Sequence, residues 1–395
     1  MIPRTIFSDE HKLFAETVRH FLAKEVIPHH DAWEEQGQVS RDVWRRAGEQ
    51  GLLCTAVPSR YGGQDADFIF SVVLAEEFAR AGATGPYFFL HSDIVAPYIL
   101  RYGTEEQKSH WLPRMASGEA IGAIAMTEPG AGSDLQSMET IAERVDEGWV
   151  LNGQKVFISN GQLADLVIVA AQTQRGSGAK GITLFLVDAS LPGFERGRAL
   201  KKIGMKAQDT SELFFSDLRL EDGAVLGEVG RGFPQLMTEL AQERLLQALR
   251  SVAVSEAAIG WTIEYTTQRR AFGKTLAALQ NTQFKLAEMT ALVAAQRAFV
   301  DRCIELHAEG KLDAVDAAMA KLTSTDLHCR VVDECLQLHG GWGYMWEYPI
   351  ARAYADARHT RISAGSAEIM KLVIARSILP REERARPRVP LSAVV

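Results

Sequence analysis

The sequence predicts a multidomain α+β fold: an N-terminal helical domain, a small middle β-barrel or β-sandwich domain, and a C-terminal four-helix bundle. Three observations point to it. Helical periodicity fills the first third, short β-like runs separated by glycines occupy the middle, and long helical stretches return after Phe233. No strand–helix–strand alternation occurs, which argues against a doubly wound nicotinamide-binding sheet. At 395 residues the chain exceeds one ordinary core, so two or three domains are expected. The boundaries are placed at 1–122, 123–231 and 232–380, with 381–395 as a flexible tail.

In the first domain, Phe14, Val18, Phe21, Leu22 and Val26 recur at helical spacing. Ser8 is a candidate N-cap, and Asp9 and Glu10 fall in the first turn. Further helices are expected over 70–79 and 93–101, punctuated by Tyr61-Gly62-Gly63 and by 82–86. In the middle domain, Trp149-Val150-Leu151, Asn152-Gly153 and Lys155-Val156-Phe157-Ile158 read as a β-hairpin. The Asn-Gly pair would supply the positive φ angles of a type I′ turn. Runs at 166–171, 182–187 and 213–215 add strands. Helices at 236–270, 284–308, 314–338 and 367–379 then suggest an antiparallel bundle, with small residues from 248 to 260 permitting close packing.

Composition narrows the function. The chain is 47% hydrophobic and 24% charged, as soluble globular proteins are. A net charge of −7 argues against a nucleic-acid binder, which carries a concentrated basic surface. The arginine-dense stretch 381–388 is interrupted by Glu382 and Glu383 and reads as a solvated tail. The N-terminus contains no apolar signal core, and no run approaches the roughly 18 apolar residues of a membrane span. Cys54, Cys303, Cys329 and Cys335 form no CxxC pair and no zinc set, so no metal is expected. Reduced, mostly buried thiols in a cytoplasmic protein are the expectation.

Four motifs carry chemistry. The segment from Ile124 to Asp134 reads IAMTEPGAGSD. Its small residues, with Thr127 and Ser133, let backbone amides and hydroxyls approach a flavin or a phosphate. Residues 151–161 read LNGQKVFISNG, where strand alternation puts Phe157 and Ser159 on one face. One could cover an aromatic ring system while the other bonds its edge. Residues 268–274, QRRAFGK, end the first long bundle helix with arginines that suit a pyrophosphate. Residues 337–344, QLHGGWGY, end a later helix with glycines that admit close backbone approach. His339 within it reads as structural. Each motif alone also fits an ordinary loop, core position or helix end.

Together, and in this order, the motifs resemble the acyl-CoA dehydrogenase family, nearest to its long-chain and isovaleryl-type members, over about residues 7–379. The resemblance implies FAD as cofactor and an acyl-CoA thioester as substrate, desaturated between its α and β carbons. It implies that Ile124 through Ser133, including Met126, Thr127 and Gly132, line the flavin, with Thr127 bonding the ring. Phe157 stands in place of a family tryptophan packed on the flavin, and Ser159 in place of a threonine. Arg269, Phe272, Gln337 and Gly341 match positions that reach the FAD of a neighbouring subunit, which implies a homotetramer built as a dimer of dimers. Ser366 and Glu368 match a further FAD-contacting stretch. An electron-transfer flavoprotein is the implied electron acceptor.

The reaction needs a base, and a glutamate in an apolar pocket serves. Most of the family carries it in a Tyr-Glu-Gly-Thr loop before the last helix, where this sequence has Ser363-Ala364-Gly365-Ser366. A smaller group takes the base from a segment like Gln-Glu-Arg-Leu, matched here by Gln242-Glu243-Arg244-Leu245. Leu236, Leu240, Glu243 and Leu246 share a broad helical face, although Glu239 lies one turn earlier on a similar side. Glu243 is the assigned base. By the same resemblance the backbone N–H of Ala364 bonds the thioester carbonyl, Gly365 lines the substrate beside it, Arg244 lies near CoA, and Ser133 touches cofactor and substrate. The expected substrate is a medium-to-long or branched acyl chain. Three other readings share these motifs: an acyl-CoA oxidase, a flavin monooxygenase of the same fold, and a non-catalytic subunit of a mixed oligomer.

Overall fold

The computed structural model describes residues 3–380, so the arginine-rich tail lies outside the described residues. Helix α1 (Asp9–Phe21) starts at Ser8, whose Oγ accepts the His11 N–H, while His11 Nδ1 accepts the Ser8 N–H. This is a reciprocal cap with histidine in the usual glutamate position. A π turn leads into α2 (Ile27–Gln36), and α3 (Arg41–Glu49) and α4 (Phe68–Arg80) follow. A near-continuous stretch then runs through α5 (Phe88–Leu90), a π turn at His91–Val95 and α6 (Ala96–Tyr102), before α7 (Glu105–Ala116). Helices α2, α3 and α7 are additions to those that periodicity suggests, because charged residues interrupt their short apolar stripes. No helix among the described residues is long and apolar enough to cross a membrane.

The middle of the chain builds one sheet from β1 (Gly122–Ala125), β2 (Ile141–Val145), β3 (Gly148–Ser159) and β4 (Leu166–Gln172). It is completed by β5 (Ile182–Asp188), β6 (Phe194–Ala199), β7 (Thr210–Leu220) and the short β8 (Val225–Leu226). The order is β6-β7-β3-β2-β4-β5-β8, with β1 added in parallel beside β4. Every residue of β4 is buried, as a strand covered on both faces requires.

The expected hairpin at Asn152-Gly153 is not there. β3 runs unbroken through both residues, and the tight turn lies earlier, at Asp146-Glu147, between Val145 and its partner Gly148. Asn152 instead faces a bulge in β7, where Asp217 has φ 49°. Its side chain accepts the Asp217 N–H at 2.8 Å and donates to Asp217 Oδ1 at 3.1 Å. Glycine is required at 153, where φ is 144° and a Cβ would lie 2.6 Å from Thr140 Oγ1. The Asn-Gly pair therefore serves a bulge and a close crossing, not a turn.

The C-terminal domain begins with α8 (Gly232–Gln268), followed by a small ribbon of β9 (Arg270–Ala271) and β10 (Lys274–Thr275). It continues through α9 (Gln280–Ala308), α10 (Ala314–His339), α11 (Pro349–Thr360) and α12 (Ala367–Ile378). Helix α11 is an addition to the four that periodicity suggests. Helix α8 packs on α9 and α10 within the bundle and on α4 of the first domain. One hydrophobic core joins Tyr98 of α6, Leu166 and Ile168 of β4, and Leu236, Leu245 and Leu246 of α8. The three regions thus meet around the N-terminal half of α8.

A Gly153→Ala variant is expected to lose about 1–3 kcal/mol of stability from backbone strain and the Thr140 clash. Thermal denaturation measures this as a lowered midpoint, and an unchanged midpoint would remove the crossing as the reason for glycine.

Candidate active site

Residues 243–253 of α8 are all buried, so this stretch has no solvent face. A helix buried all round is normally apolar, yet Glu243 and Arg244 sit at its start, 7% and 5% exposed. Among the described residues the Glu243 carboxylate receives one hydrogen bond, from the Tyr98 hydroxyl of α6 at 3.3 Å. Burial pushes its pKa up to about 7, with Glu239 adding repulsion, against the Tyr98 hydrogen bond and the Arg244 charge. Such a carboxyl exchanges a proton near neutral pH, which is what a general base requires.

Glu239 is also buried, but its environment is different. Its Oε1 accepts from Arg101 Nη1 and from the Tyr102 hydroxyl, both at 2.7 Å. Glu239 is thus held by a cation and a hydroxyl together, whereas among the described residues Glu243 meets a hydroxyl only. The two glutamates therefore differ in their partners on α6, a difference that no periodicity in α8 could reveal.

The segment 361–366 links α11 to α12. Ala364 has φ 52° and Gly365 has φ 87°, so two successive residues adopt the left-handed region, where alanine is disfavoured. The Ser363 N–H bonds the His359 carbonyl at 3.0 Å and the Ala367 N–H bonds the Arg361 carbonyl at 3.0 Å. Between them the Ala364 N–H has no hydrogen-bond acceptor among the described residues. Lys321 of α10, fully buried, donates to the Gly365 carbonyl at 2.7 Å. Its ammonium lies close enough to Arg244 to feel that charge, so α8, α10 and this segment converge. Arg244 Nε is itself buried and without a partner among the described residues. Ser366 caps α12 through a 3.4 Å bond from the Ile369 N–H, and Glu368 is exposed in the first turn.

In the sheet domain, Glu128 anchors the glycine-rich loop. Its carboxylate accepts the Glu139 N–H at 2.6 Å, the Thr140 N–H at 3.0 Å and the fully buried Lys155 ammonium at 2.7 Å. Lys155 also donates to the Met126 carbonyl at 3.0 Å, and the Val156 N–H bonds the Thr127 carbonyl at 2.9 Å. The loop is therefore pinned to β3. β3 then bulges at Val156-Phe157 opposite Glu212, giving Phe157 a φ of 62° and leaving that residue 66% exposed. Ser159, beyond the buried Ile158, is half-buried. Ile124, Met126 and Thr127 are half-buried, and Gly132 and Ser133 are exposed, with no atom within 4 Å of a Cβ built on Gly132. An exposed aromatic beside an open, polar, backbone-rich loop fits a planar ring with hydrogen-bonding edges, as the flavin implied by the motifs has.

Arg269, Phe272, Gln337 and Gly341 gather at the far end of the bundle, where the Tyr265 ring stacks on His339 at 4.4 Å and its hydroxyl donates to the His339 carbonyl. All four are exposed, Phe272 to 92%, and no hydrogen bond among the described residues links them to the 126–133 loop. They fit a group presented from outside this chain. His339 Nδ1 bonds the Cys335 carbonyl at 2.8 Å, a structural role. The four cysteines are free, and three are buried. His30, Asp31 and Glu34 lie close enough to share an ion, but Arg352 pairs with Asp31 at 2.8 Å and Trp346 Nε1 donates to Glu34 at 2.7 Å. Sequence reasoning missed Tyr98, Lys321 and the Glu128–Lys155 pair. The only local signal was a lysine beside Val156, Phe157 and Ile158.

Three family models match the chain: "Acyl-CoA dehydrogenase, N-terminal domain" over residues 8–119, "Acyl-CoA dehydrogenase, middle domain" over 123–218 and "Acyl-CoA dehydrogenase, C-terminal domain" over 230–379. The mitochondrial long-chain specific acyl-CoA dehydrogenase of Sus scrofa is 54% identical over 378 residues, covering 95% of this chain and 88% of that protein. The mitochondrial isovaleryl-CoA dehydrogenase of Solanum tuberosum is 35% identical, covering 95% and 92%. A crystal structure of an acyl-CoA dehydrogenase from Geobacillus kaustophilus superposes with a TM-score of 0.93 at 47% identity, covering 95% of this chain and 99% of the other.

The Glu243 pKa ties stability to pH. Because it is raised from 4.5 in the unfolded chain to about 7, the folded protein holds the extra proton across that window. Stability from this group is present below about 4.5 and is lost as pH rises through about 7. Glu243→Gln removes that loss, so the variant gains on the wild type across the window by on the order of 3 kcal/mol. Melting both proteins at acid and neutral pH measures the gain. A difference independent of pH would mean that Glu243 is not the titrating group.

Proposed function

The chain belongs to the acyl-CoA dehydrogenase family, and from that premise we propose how its own residues carry the reaction. It is an oxidoreductase that desaturates an acyl-CoA thioester with FAD as cofactor. The observation that carries the residue assignment is a buried, near-neutral Glu243 in a chain with Ala364 at the family's usual base position.

In this reading Glu243 takes the α-proton of the thioester at its carboxylate. Water is excluded by the surrounding core, which keeps the carboxylate weakly solvated and therefore basic. The Ala364 N–H donates to the thioester carbonyl oxygen, with Gly365 shaping the same wall, and so stabilises the enolate-like charge that develops as the proton leaves. A main-chain donor is unaffected by the change from glutamate to alanine. Tyr98 holds the Glu243 carboxyl in place, and Arg244 offers positive charge toward the CoA portion. When bound, FAD would supply the acceptor for the β-hydride, so that loss of the α-proton and of that hydride would leave the trans-2-enoyl-CoA. Ile124, Met126, Thr127, Gly132, Ser133, Phe157 and Ser159 would hold the flavin from this chain, with Ser133 also reaching the substrate. Ser366 and Glu368 would add contacts at the start of α12. Arg269, Phe272, Gln337 and Gly341 would reach the FAD of a neighbour, in a homotetramer. Their outward exposure supports that arrangement.

We further read the electron acceptor as an electron-transfer flavoprotein, and the substrate as a medium-to-long or branched acyl chain. Ser363 and Ala364 together leave room where the family motif has tyrosine and glutamate. Four free cysteines support a reducing compartment, read as the cytoplasm.

Anaerobic bleaching of the flavin by a panel of acyl-CoA thioesters tests the reading. Long-chain or branched thioesters should bleach the wild type. Glu243→Gln should bind FAD normally and bleach on the order of 10²–10⁴-fold more slowly. Reoxidation should be fast with the electron-transfer flavoprotein and slow with oxygen. Full bleaching by the Gln variant would exclude Glu243 as base, and rapid turnover with oxygen would make the protein an oxidase.

A further inference from the structure

Lys321 lies about two turns into α10, fully buried. An ammonium without solvent is costly unless it meets a partner, so the residue at this position must be binding something. Its one hydrogen bond among the described residues is to the Gly365 carbonyl at 2.7 Å. Of the bonds that fix residues 363–367, those from the Ser363 and Ala367 N–H groups return to His359 and Arg361, inside or just after α11. The bond from Lys321 is the only one, among the described residues, that holds either Ala364 or Gly365. That pair carries alanine at φ 52° and glycine at φ 87°, a conformation that persists only when its surroundings impose it.

We propose that Lys321 is a positioning residue for the dehydrogenation: by gripping the Gly365 carbonyl it holds the adjoining Ala364 N–H aimed at the thioester carbonyl. It touches neither substrate nor cofactor. The inference rests on the assignment of Ala364 as thioester donor given above.

The groups facing the ammonium come from four helices and the linking segment. Arg244 of α8 and Arg361 of the linking segment are cationic, Asp326 of α10 and Glu368 of α12 are anionic, and the buried imidazole of His359 in α11 also lies within electrostatic reach. Burial first, then the Arg244 charge, bring the Lys321 pKa down to about 8. The grip is therefore strongest with the ammonium charged and slackens as pH rises through that value. Donation by a neutral amine is weaker than by an ammonium.

The test uses the full-length FAD-loaded enzyme and Lys321→Met, which keeps the length and removes the donor. Three quantities are read: the limiting rate of anaerobic flavin reduction by a saturating long-chain acyl-CoA, the dissociation constant of that thioester, and the infrared band of its isotopically labelled carbonyl when bound. The Met variant should reduce its flavin roughly tenfold to a hundredfold more slowly. Its thioester affinity should change far less, and the carbonyl band should lie nearer the free-solution position. In the wild type the same band should drift toward that position as pH rises through about 8. Should the Met variant not fold, Lys321→Gln, whose neutral amide is a shorter and weaker donor, takes its place in the same three measurements. A variant with wild-type rate and carbonyl band, or a slow variant with an unshifted band, overturns the proposal. Running Glu243→Gln in parallel separates the failures. If that variant is inactive while Lys321→Met behaves as wild type, only the positioning role falls. If Glu243→Gln is fully active, the underlying mechanism falls with it.

Discussion

Burial of a carboxyl group in a helix with no solvent face is the constraint on which the rest of this molecule depends. From residue 243 to 253, α8 is enclosed by the first domain, the sheet and the bundle. A charge placed there loses its hydration, and only specific partners restore it. Among the described residues Glu243 has one neutral hydroxyl as its hydrogen-bond partner. The fold therefore keeps a carboxyl poised between protonated and ionised, which an exposed glutamate is not. The three domains are needed together because the enclosure is built from all of them.

Three buried glutamates show how much the partners matter. Glu76 of α4 is fully enclosed, and burial alone would raise its pKa. Arg297, Arg4 and Arg80 outweigh that and hold it at about 2, through contacts of 2.6 to 2.7 Å. Glu239 is paired by Arg101. Glu243 has no such pair in hydrogen-bonding contact among the described residues, although the neighbouring Arg244 acts on it at longer range. The same side chain is thus ion-paired in the first two places, while in the third a neutral hydroxyl holds it and burial pushes its pKa up to about 7. On the sheet side the Glu128–Lys155 pair repeats the structural use, fixing the loop that precedes the exposed Phe157.

Much of this was legible in the sequence, and what was not has identifiable causes. Apolar periodicity located the long helices, and apolar runs located β4 and β5, since these are the elements whose packing faces are widest. Motif order nominated the loop at 124–134 and the helix ends at 269 and 337 as candidates for one cofactor site. The Asn152-Gly153 pair misled because a glycine with positive φ serves a close crossing as well as it serves a turn, and only the cross-strand register distinguishes them. Glu243 could be named, but its separation from Glu239 depends on Tyr98, Arg101 and Tyr102, more than a hundred residues away in the chain. Lys321 was invisible for the same reason: a lysine within an alanine-rich helix reads as a surface residue until the fold puts Gly365 over it.

The central claim is that a near-neutral Glu243 is the group that removes the α-proton. Its most direct test is the pH dependence of the limiting rate of anaerobic flavin reduction by a long-chain acyl-CoA, followed by stopped flow from acid to alkaline pH. The expected result is a rate that rises with a single ionisation near 7 in the wild type, with that ionisation absent from the slow residual reaction of Glu243→Gln. An unchanged ionisation in the Gln variant, or a wild-type rate already at its plateau at the pKa of an exposed glutamate, would contradict it.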